Sequence, residues 1–198
     1  MMLPLCCHTV VCPKRHRRAM PRILYVCTSN TCRSPAAATI ARAHLEKIGR
    51  TDVDVASRSL TDRYSAWGSP PDPRAEKALR GATGLSSQGH ASSKLTAKEV
   101  DGCDALFYFM REHIEWIAGC VGKAPVKRAL ESGRLRIVHP PDGIPDPFFA
   151  DDAFYGEVMA MLQTHVSSSL DEVLASIHAF EVYRKAQEDK ARSRLTTR

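Results

Sequence analysis

Ile23-Leu24-Tyr25-Val26-Cys27-Thr28-Ser29-Asn30-Thr31-Cys32-Arg33-Ser34-Pro35, running on into Ala36-Ala37-Ala38-Thr39-Ile40-Ala41, writes a strand, a tight loop and a helix start side by side. Ser34 fits a helix N-cap, and Pro35 fits the first turn, where its missing N–H is not needed. Ala37, Ile40, Ala41, Leu45 and Ile48 recur at helical spacing and stop at Gly49, a C-terminal signal. The loop carries a cysteine, an arginine six places on, and then a serine. A helix N-terminus presents unpaired N–H groups and a partial positive charge, which suits a phosphate. The same field favours the thiolate form of a cysteine placed there, and an arginine adds a two-pronged grip on phosphate oxygens. These residue types in this order describe a site that binds a phosphate and attacks it with sulfur. Context carries the reading. Cys12 and Arg18 have the same spacing, yet Pro13-Lys14-Arg15-His16-Arg17 between them has no strand before it and no helix signal after.

A thiolate that displaces a phosphate ester needs an acid for the leaving group and then a base for water. Ile144-Pro145-Asp146-Pro147-Phe148-Phe149 offers one carboxylate between two prolines, with Gly143 just upstream. A backbone stiffened in this way presents a side chain at a defined position. On composition alone the segment reads rather as a plain turn, and the adjacent aromatics equally as core packing.

The first loop resembles the phosphate-binding loop of the low-molecular-weight protein tyrosine phosphatases, whose pattern reads Cys-x-Gly-Asn-x-Cys-Arg-Ser. The resemblance implies that Cys27 is the nucleophile and that Arg33 binds the phosphate. Ser34 then hydrogen-bonds the sulfur, and Thr28, Ser29, Asn30, Thr31 and Cys32 complete the loop around the substrate, Asn30 holding its shape. Asp146 becomes the general acid and base, because the family carries that residue in an Asp-Pro-aromatic loop late in the chain. Phe148 and Phe149 become one wall of the cleft, and Trp67, within Tyr64-Ser65-Ala66-Trp67-Gly68-Ser69-Pro70, looks like the opposite wall. Ser57 and His90 are implied as hydrogen-bond partners of Asn30, although each read alone is a solvated polar residue. The resemblance also pairs Cys32 with Cys27 in a reversible, protective disulfide; the residue alone reads as a small buried one. The family's glycine is Ser29 here, a side chain expected to strain the loop or narrow its mouth.

Apolar runs recur at 23–26, 53–56, 105–110 and 136–138, with helical patterns between them. This alternation predicts an α/β fold, a parallel sheet covered on both faces, with ligands at the carboxyl ends of the strands. The resemblance, over roughly residues 21–180, implies a three-layer domain with a four-stranded parallel sheet flanked by helices, the phosphate-binding loop following the first strand. Thr96-Ala97-Lys98-Glu99 is a capping-box pattern that starts a helix. A further helix is expected over 153–166, interrupted by Ser167-Ser168-Ser169 before 170–177 resumes. Neither an internal repeat nor a second domain is evident.

The chain has 198 residues, 43% hydrophobic, and a net charge of +6. Residues 1–20 carry +4 and residues 181–198 carry +3, which leaves −1 for residues 21–180. The basicity belongs to an N-terminal extension, read as a disordered or targeting segment, and to a C-terminal tail, so a nucleic-acid partner is not expected. No apolar run approaches a membrane span. Cys6-Cys7 lies among basic residues and has the features of a palmitate acceptor. Cys6, Cys7, His8, Cys12 and His16 match no standard zinc spacing, and neither metal nor other cofactor is expected. Seven cysteines without a framework point to a reducing, cytoplasmic setting.

The expected activity is metal-independent hydrolysis of phosphotyrosine in a phosphorylated protein, through a phosphocysteine. The resemblance leaves the substrate open. Relatives acting on phosphoarginine carry threonine just before the second loop cysteine, and Thr31 stands there. Those relatives tend to have glycine after the first aromatic, where this chain has Phe149. An arsenate reductase needs closely spaced resolving cysteines downstream, unlike Cys103 and Cys120. A phosphate-binding module disabled by Ser29 is the remaining alternative.

Overall fold

The computed structural model describes residues 20–196. The N-terminal extension, with the palmitate candidates Cys6-Cys7 and with His8, Cys12 and His16, lies outside the described residues but for Met20. The elements run β1 (Arg22–Cys27), α1 (Arg33–Lys47), β2 (Asp54–Ser59), α2 (Pro73–Thr83), α3 (Ala97–Gly102), β3 (Ala105–Tyr108), α4 (His113–Val121), α5 (Lys123–Glu131), β4 (Leu135–Ile137) and α6 (Asp152–Thr196). The four strands form one parallel sheet in the order β2-β1-β3-β4. This is the expected α/β architecture, and β1 is central because its side chains are apolar on both faces.

Alternation along β1 divides the core. Ile23, Tyr25 and Cys27 face the layer built by α1, α2 and α6, together with Phe107 and Phe109. Leu24 and Val26 face the layer of α3, α4 and α5 with Leu106, Val126 and Ala129. Tyr25 lies opposite Phe107 in register, and their rings stack with centroids 5.1 Å apart. Cys27, the last residue of β1, thus emerges at the carboxyl edge of the sheet between two filled layers. Cys103 precedes β3 and sits buried at the opposite edge, so no strand geometry carries it toward Cys27.

Capping chemistry sets several boundaries. The Thr96 box forms in both directions at the start of α3. Helix α1 ends as Gly49 predicts: its N–H bonds Glu46 O and the Arg50 N–H bonds Leu45 O, with Gly49 at φ +71°. The start of α1 differs from expectation. Cys32 is the N-cap, without a side-chain bond, and Ser34 lies inside the first turn. The Ser34 hydroxyl is committed to the loop instead, as described below.

The serines at 167–169 do not interrupt α6, which runs continuously. Its buried stripe Tyr155, Val158, Leu162, Val166, Leu170 and Val173 crosses them at helical spacing and packs within the α1–α2 layer. That burial outweighs the weak helix preference of serine, and Ser168 Oγ is satisfied by donating to His165 O at 3.1 Å. Beyond Ile177 the helix carries the basic C-terminal segment, with residues 178–190 exposed. No helix among the described residues is long and apolar enough to cross a membrane.

Replacing Leu170 by Ala is expected to lower unfolding free energy by about 2–5 kcal/mol in urea titrations, the cost of a core cavity. Ser168→Ala should change it little. A loss well under about 1 kcal/mol at Leu170 would mean that the packed stripe ends before the serines.

Candidate active site

The turn from β1 to α1 is organised around Asn30, which is wholly buried and adopts φ +58°. Asparagine tolerates this left-handed conformation better than most residues because its short amide bonds locally. Its Oδ1 accepts the Ser93 backbone N–H at 3.1 Å, which settles the orientation of the amide. Its Nδ2 then donates to Ser34 Oγ at 2.8 Å and Ser57 Oγ at 2.9 Å. His90 Nε2 lies 2.8 Å from the Asn30 carbonyl oxygen, so this nitrogen carries the hydrogen. Burial, and then the positive charges of Arg42 and Arg58, lower the His90 pKa against that bond. The structure therefore brings Ser57 and His90 to Asn30 as the resemblance implied, Ser57 being buried rather than solvated.

Ser34 Oγ also lies 3.0 Å from Cys27 Sγ. Because the hydroxyl accepts from Asn30, its own proton is available to point at the sulfur, an arrangement that suits a thiolate acceptor. Cys27 and Cys32 are not joined by a disulfide in this structure. The Cys32 thiol is pushed well up by burial, with the neighbouring Cys27 adding to the effect, so it is protonated at neutral pH. Ser29 adopts no left-handed φ; among the described non-glycine residues that conformation belongs to Asn30 and His139. The backbone thus does not require glycine at this position, and the expected strain is absent.

Arg33, the first residue of α1, is only 1% exposed. Its Nη1 donates to Ile144 O at 3.1 Å, and its Nη2 reaches Thr28 Oγ1 at 3.4 Å and pairs with Asp146 Oδ2. Its Nε has no protein partner despite being buried, a donor left over for an oxyanion. Asp146 also accepts from Thr28 Oγ1 at 3.3 Å and from the Phe148 N–H at 3.2 Å. Thr28, Arg33 and Asp146 are thereby assembled around the mouth of the Cys27 loop.

The segment carrying Asp146 is anchored from beneath. Ile144 N bonds Phe109 O at 2.7 Å. Gly143, at φ +79°, permits that approach, because a Cβ there would overlap the Phe109 carbonyl oxygen. A second anchor was not read from the sequence. The Asp72 N–H bonds Thr31 O at 2.8 Å, while Asp72 caps α2 by accepting the Arg74 N–H, with Pro73 at the first helical position. Arg74 in turn donates to Phe148 O at 3.2 Å and Ala150 O at 3.4 Å, and Tyr155 OH donates to Asp72 Oδ2 at 3.3 Å. Pro71-Asp72-Pro73 is an N-cap followed by a helix-starting proline, so the helix start was legible; the cross-links from it were not.

Phe148 and Phe149 meet edge to face with centroids 4.9 Å apart, and Phe149 is 89% exposed. Phe148 also packs against Tyr64, with ring centroids 5.8 Å apart. Trp67 lies three residues further along the loop, where Lys94 Nζ sits 5.2 Å from its ring centroid. Both aromatics occur in one loop without regular spacing, so periodicity offered no means to choose between them. No group of three or more His, Cys, Asp or Glu residues suited to a metal occurs among the described residues.

Sheet and loop together define the class: an α/β domain whose first β–loop–α turn rings a cysteine with anion-binding donors. A family model described as low molecular weight phosphotyrosine protein phosphatase matches residues 22–179, and the chain belongs to that family. It is similar to the low molecular weight protein-tyrosine-phosphatase YfkJ of Bacillus subtilis, 27% identical over 165 residues, which span 80% of this chain and 96% of the relative. Among solved structures, the tyrosine phosphatase Wzb from Escherichia coli K30 in complex with sulphate is 24% identical. The match covers 78% of this chain and 99% of that one, with a TM-score of 0.63. The YwlE arginine phosphatase is 21% identical over 77% of this chain and 95% of its own, also with a TM-score of 0.63. These two structures share the fold.

His113, the first residue of α4, is buried beside this region, and its Nδ1 accepts the Phe109 N–H at 3.4 Å. Burial, and then the charge of Arg33, lower its pKa to about 3, against about 6.5 in the unfolded chain. Between those values the unfolded state binds a proton that the folded state does not, so stability falls as pH falls. Wild-type protein is expected to lose more stability between pH 7 and pH 4.5 than His113→Gln, measured by urea unfolding at each pH. Equal losses would show that His113 is not a source of acid sensitivity.

Proposed function

We propose that the chain is a metal-independent phosphatase that hydrolyses phosphotyrosine in proteins through a phosphocysteine at Cys27. The observation that carries this reading is Cys27 Sγ held 3.0 Å from Ser34 Oγ at the head of a helix, with the Arg33–Asp146 pair alongside. The Cys27 thiolate attacks phosphorus, forming the S–P bond as the P–O bond to the leaving group breaks. Asp146 gives its proton to the departing oxygen. Backbone N–H groups of residues 28–32 and the Arg33 guanidinium, including its unpaired Nε, hold the non-bridging oxygens, where charge is concentrated. Incoming phosphate competes for Arg33 Nη2 and so releases the Asp146 carboxyl for proton transfer. Asp146 then takes a proton from water, whose oxygen attacks phosphorus; the P–S bond breaks, returning the thiolate and releasing inorganic phosphate.

The exposed Phe149, Phe148 and the facing Tyr64 favour a flat aromatic leaving group, since stacked and edge-on rings attract one another. A second reading, hydrolysis of phosphoarginine, is favoured by Thr31 in the loop and by the fold shared with the YwlE arginine phosphatase. Thr31 is buried and its carbonyl oxygen is engaged by Asp72. We take residues 21–180 as the catalytic unit. A reducing, cytoplasmic setting suits a mechanism that needs Cys27 as a thiolate.

The test is phosphate release from phosphotyrosine and phosphoarginine, side by side, under reducing conditions. Release from phosphotyrosine is expected to vanish in Cys27→Ser and to fall about 10²- to 10⁴-fold in Asp146→Asn, the usual range for general acid catalysis. Full turnover by Cys27→Ser would overturn the scheme. A preference for phosphoarginine that Thr31→Ile abolishes would establish the second reading.

A further inference from the structure

A groove adjoins the phosphate loop, and none of the chemical steps above uses it. The loop of residues 60–67 forms one bank, α4 the other, and Lys94 the end. Its volume is about 380 Å³, at the small end of the range of small-ligand clefts. Two tryptophans line it, Trp67 at 45% and Trp116 at 42% exposure. Solvent-facing indoles on opposite elements mark recognition more often than packing. Their neighbourhood is cationic: Arg63 and Lys94 outnumber Asp62, and Lys94 makes no ion pair among the described residues while resting over the Trp67 ring.

The groove is continuous with the active site. Leu60 and Thr61, on its floor, donate their N–H groups to the carbonyl oxygen of Thr28 at 3.0 Å each. Tyr64 belongs to both: it lines the groove and packs against Phe148, which follows the Asp146 segment. A polypeptide whose phosphorylated side chain lies beside the Tyr64–Phe148 pair therefore has a path over Tyr64 into the groove.

We propose that this groove holds the residues flanking the phosphorylated side chain of the protein substrate, with an apolar side chain against Trp67 and Trp116 and an acidic one beside Lys94. The inference rests on the phosphatase reading for the identity of its occupant. It assigns Trp116 and Lys94 as residues that select the substrate sequence and do not touch the reacting atoms. Continuity with the cleft and the excess of positive charge are what commit the groove to an acidic-apolar segment of substrate. A basic segment would meet uncompensated like charge at Lys94.

The experiment uses the full chain and two readouts. Binding is measured by fluorescence anisotropy with peptides whose phosphotyrosine is replaced by a nonhydrolysable phosphonate, flanked by Asp and Leu or by Lys and Leu. Turnover of p-nitrophenyl phosphate, too small to reach the groove, is measured in parallel. Trp116→Ala is expected to weaken binding of the acidic peptide about tenfold, as loss of an aromatic anchor does. Lys94→Glu should invert the preference between the two peptides. Neither change should alter KM for p-nitrophenyl phosphate by more than about twofold, the scale of exposed-charge effects. Unchanged peptide binding in both variants, or equal losses with peptide and p-nitrophenyl phosphate, would overturn the groove assignment. The expected binding pattern in a wild-type protein that releases no phosphate would uphold the groove and overturn the phosphatase reading instead.

Discussion

The left-handed Asn30 is the constraint on which the site depends. One buried amide uses both of its N–H groups and its carbonyl oxygen at once, on Ser34, Ser57 and Ser93. Each bond ties the loop to a different piece of chain: the first turn of α1, the strand β2, and the segment leading to α3. A residue held at positive φ costs on the order of 1–3 kcal/mol unless its surroundings over-determine it, and here they do. The consequence is directional as well as geometric. Because Asn30 donates to Ser34, the Ser34 hydroxyl is left to donate toward Cys27, and the chain of bonds ends on sulfur. The polarity of the surroundings of Cys27 is thus set by a backbone N–H at Ser93, two hydrogen bonds removed from Ser34.

A second set of ties holds the carboxylate against the loop. Asp146 sits on a segment without regular structure, which alone would leave its position loosely defined. Three contacts restrict it: Ile144 N on Phe109 O, Arg33 on Ile144 O, and Arg74 on Phe148 O. Asp72 joins this set to the phosphate loop by its bond to Thr31. The loop and the acid are therefore positioned by the same few side chains, Arg33 and the Asp72–Arg74 pair. Arg33 is buried in a place where a lone cation is costly, and its cost is offset by Asp146 and by carbonyl acceptors. That arrangement leaves the guanidinium fixed in orientation before any substrate arrives, which is what fast phosphoryl transfer asks of its binding groups.

What the sequence displayed was whatever is local. The apolar run, the Cys-to-Arg loop, the Thr96 capping box and Gly49 as a helix stop all depend on residues a few positions apart, and the structure contains each of them. What it concealed depends on contacts across long stretches of chain. Ser34 has the chemistry of an N-cap, yet tertiary bonds to Asn30 and Cys27 claim its hydroxyl. The three serines read as a break, yet the stripe through Leu170 packs on α1 and α2 and carries the helix across them. Tyr64 and Trp67 share one loop, and only the fold decides which of them meets Phe148. Arg74 is an ordinary charged residue in the sequence and becomes a clamp only when the chain returns 74 residues later.

The same distinction bears on the choice of substrate. Thr31 is a local feature, one side chain in a loop, and it is buried with its carbonyl oxygen engaged by Asp72. The aromatic surface is assembled from two distant segments, and its outermost ring, Phe149, is 89% exposed. Holding large apolar rings open to water opposes the hydrophobic effect, so their arrangement is explained most directly by a ligand that covers them. On the proposed reading a phenyl phosphate does so, its ring against Phe148 and Tyr64 and its phosphate toward Arg33. A guanidino phosphate carries a planar group that also stacks on rings, but on a flexible aliphatic stem. Arg33 and Arg74 are each paired with a carboxylate, so shape rather than charge carries the preference. A flat phenyl ring matches the exposed aromatic surface better than an aliphatic stem.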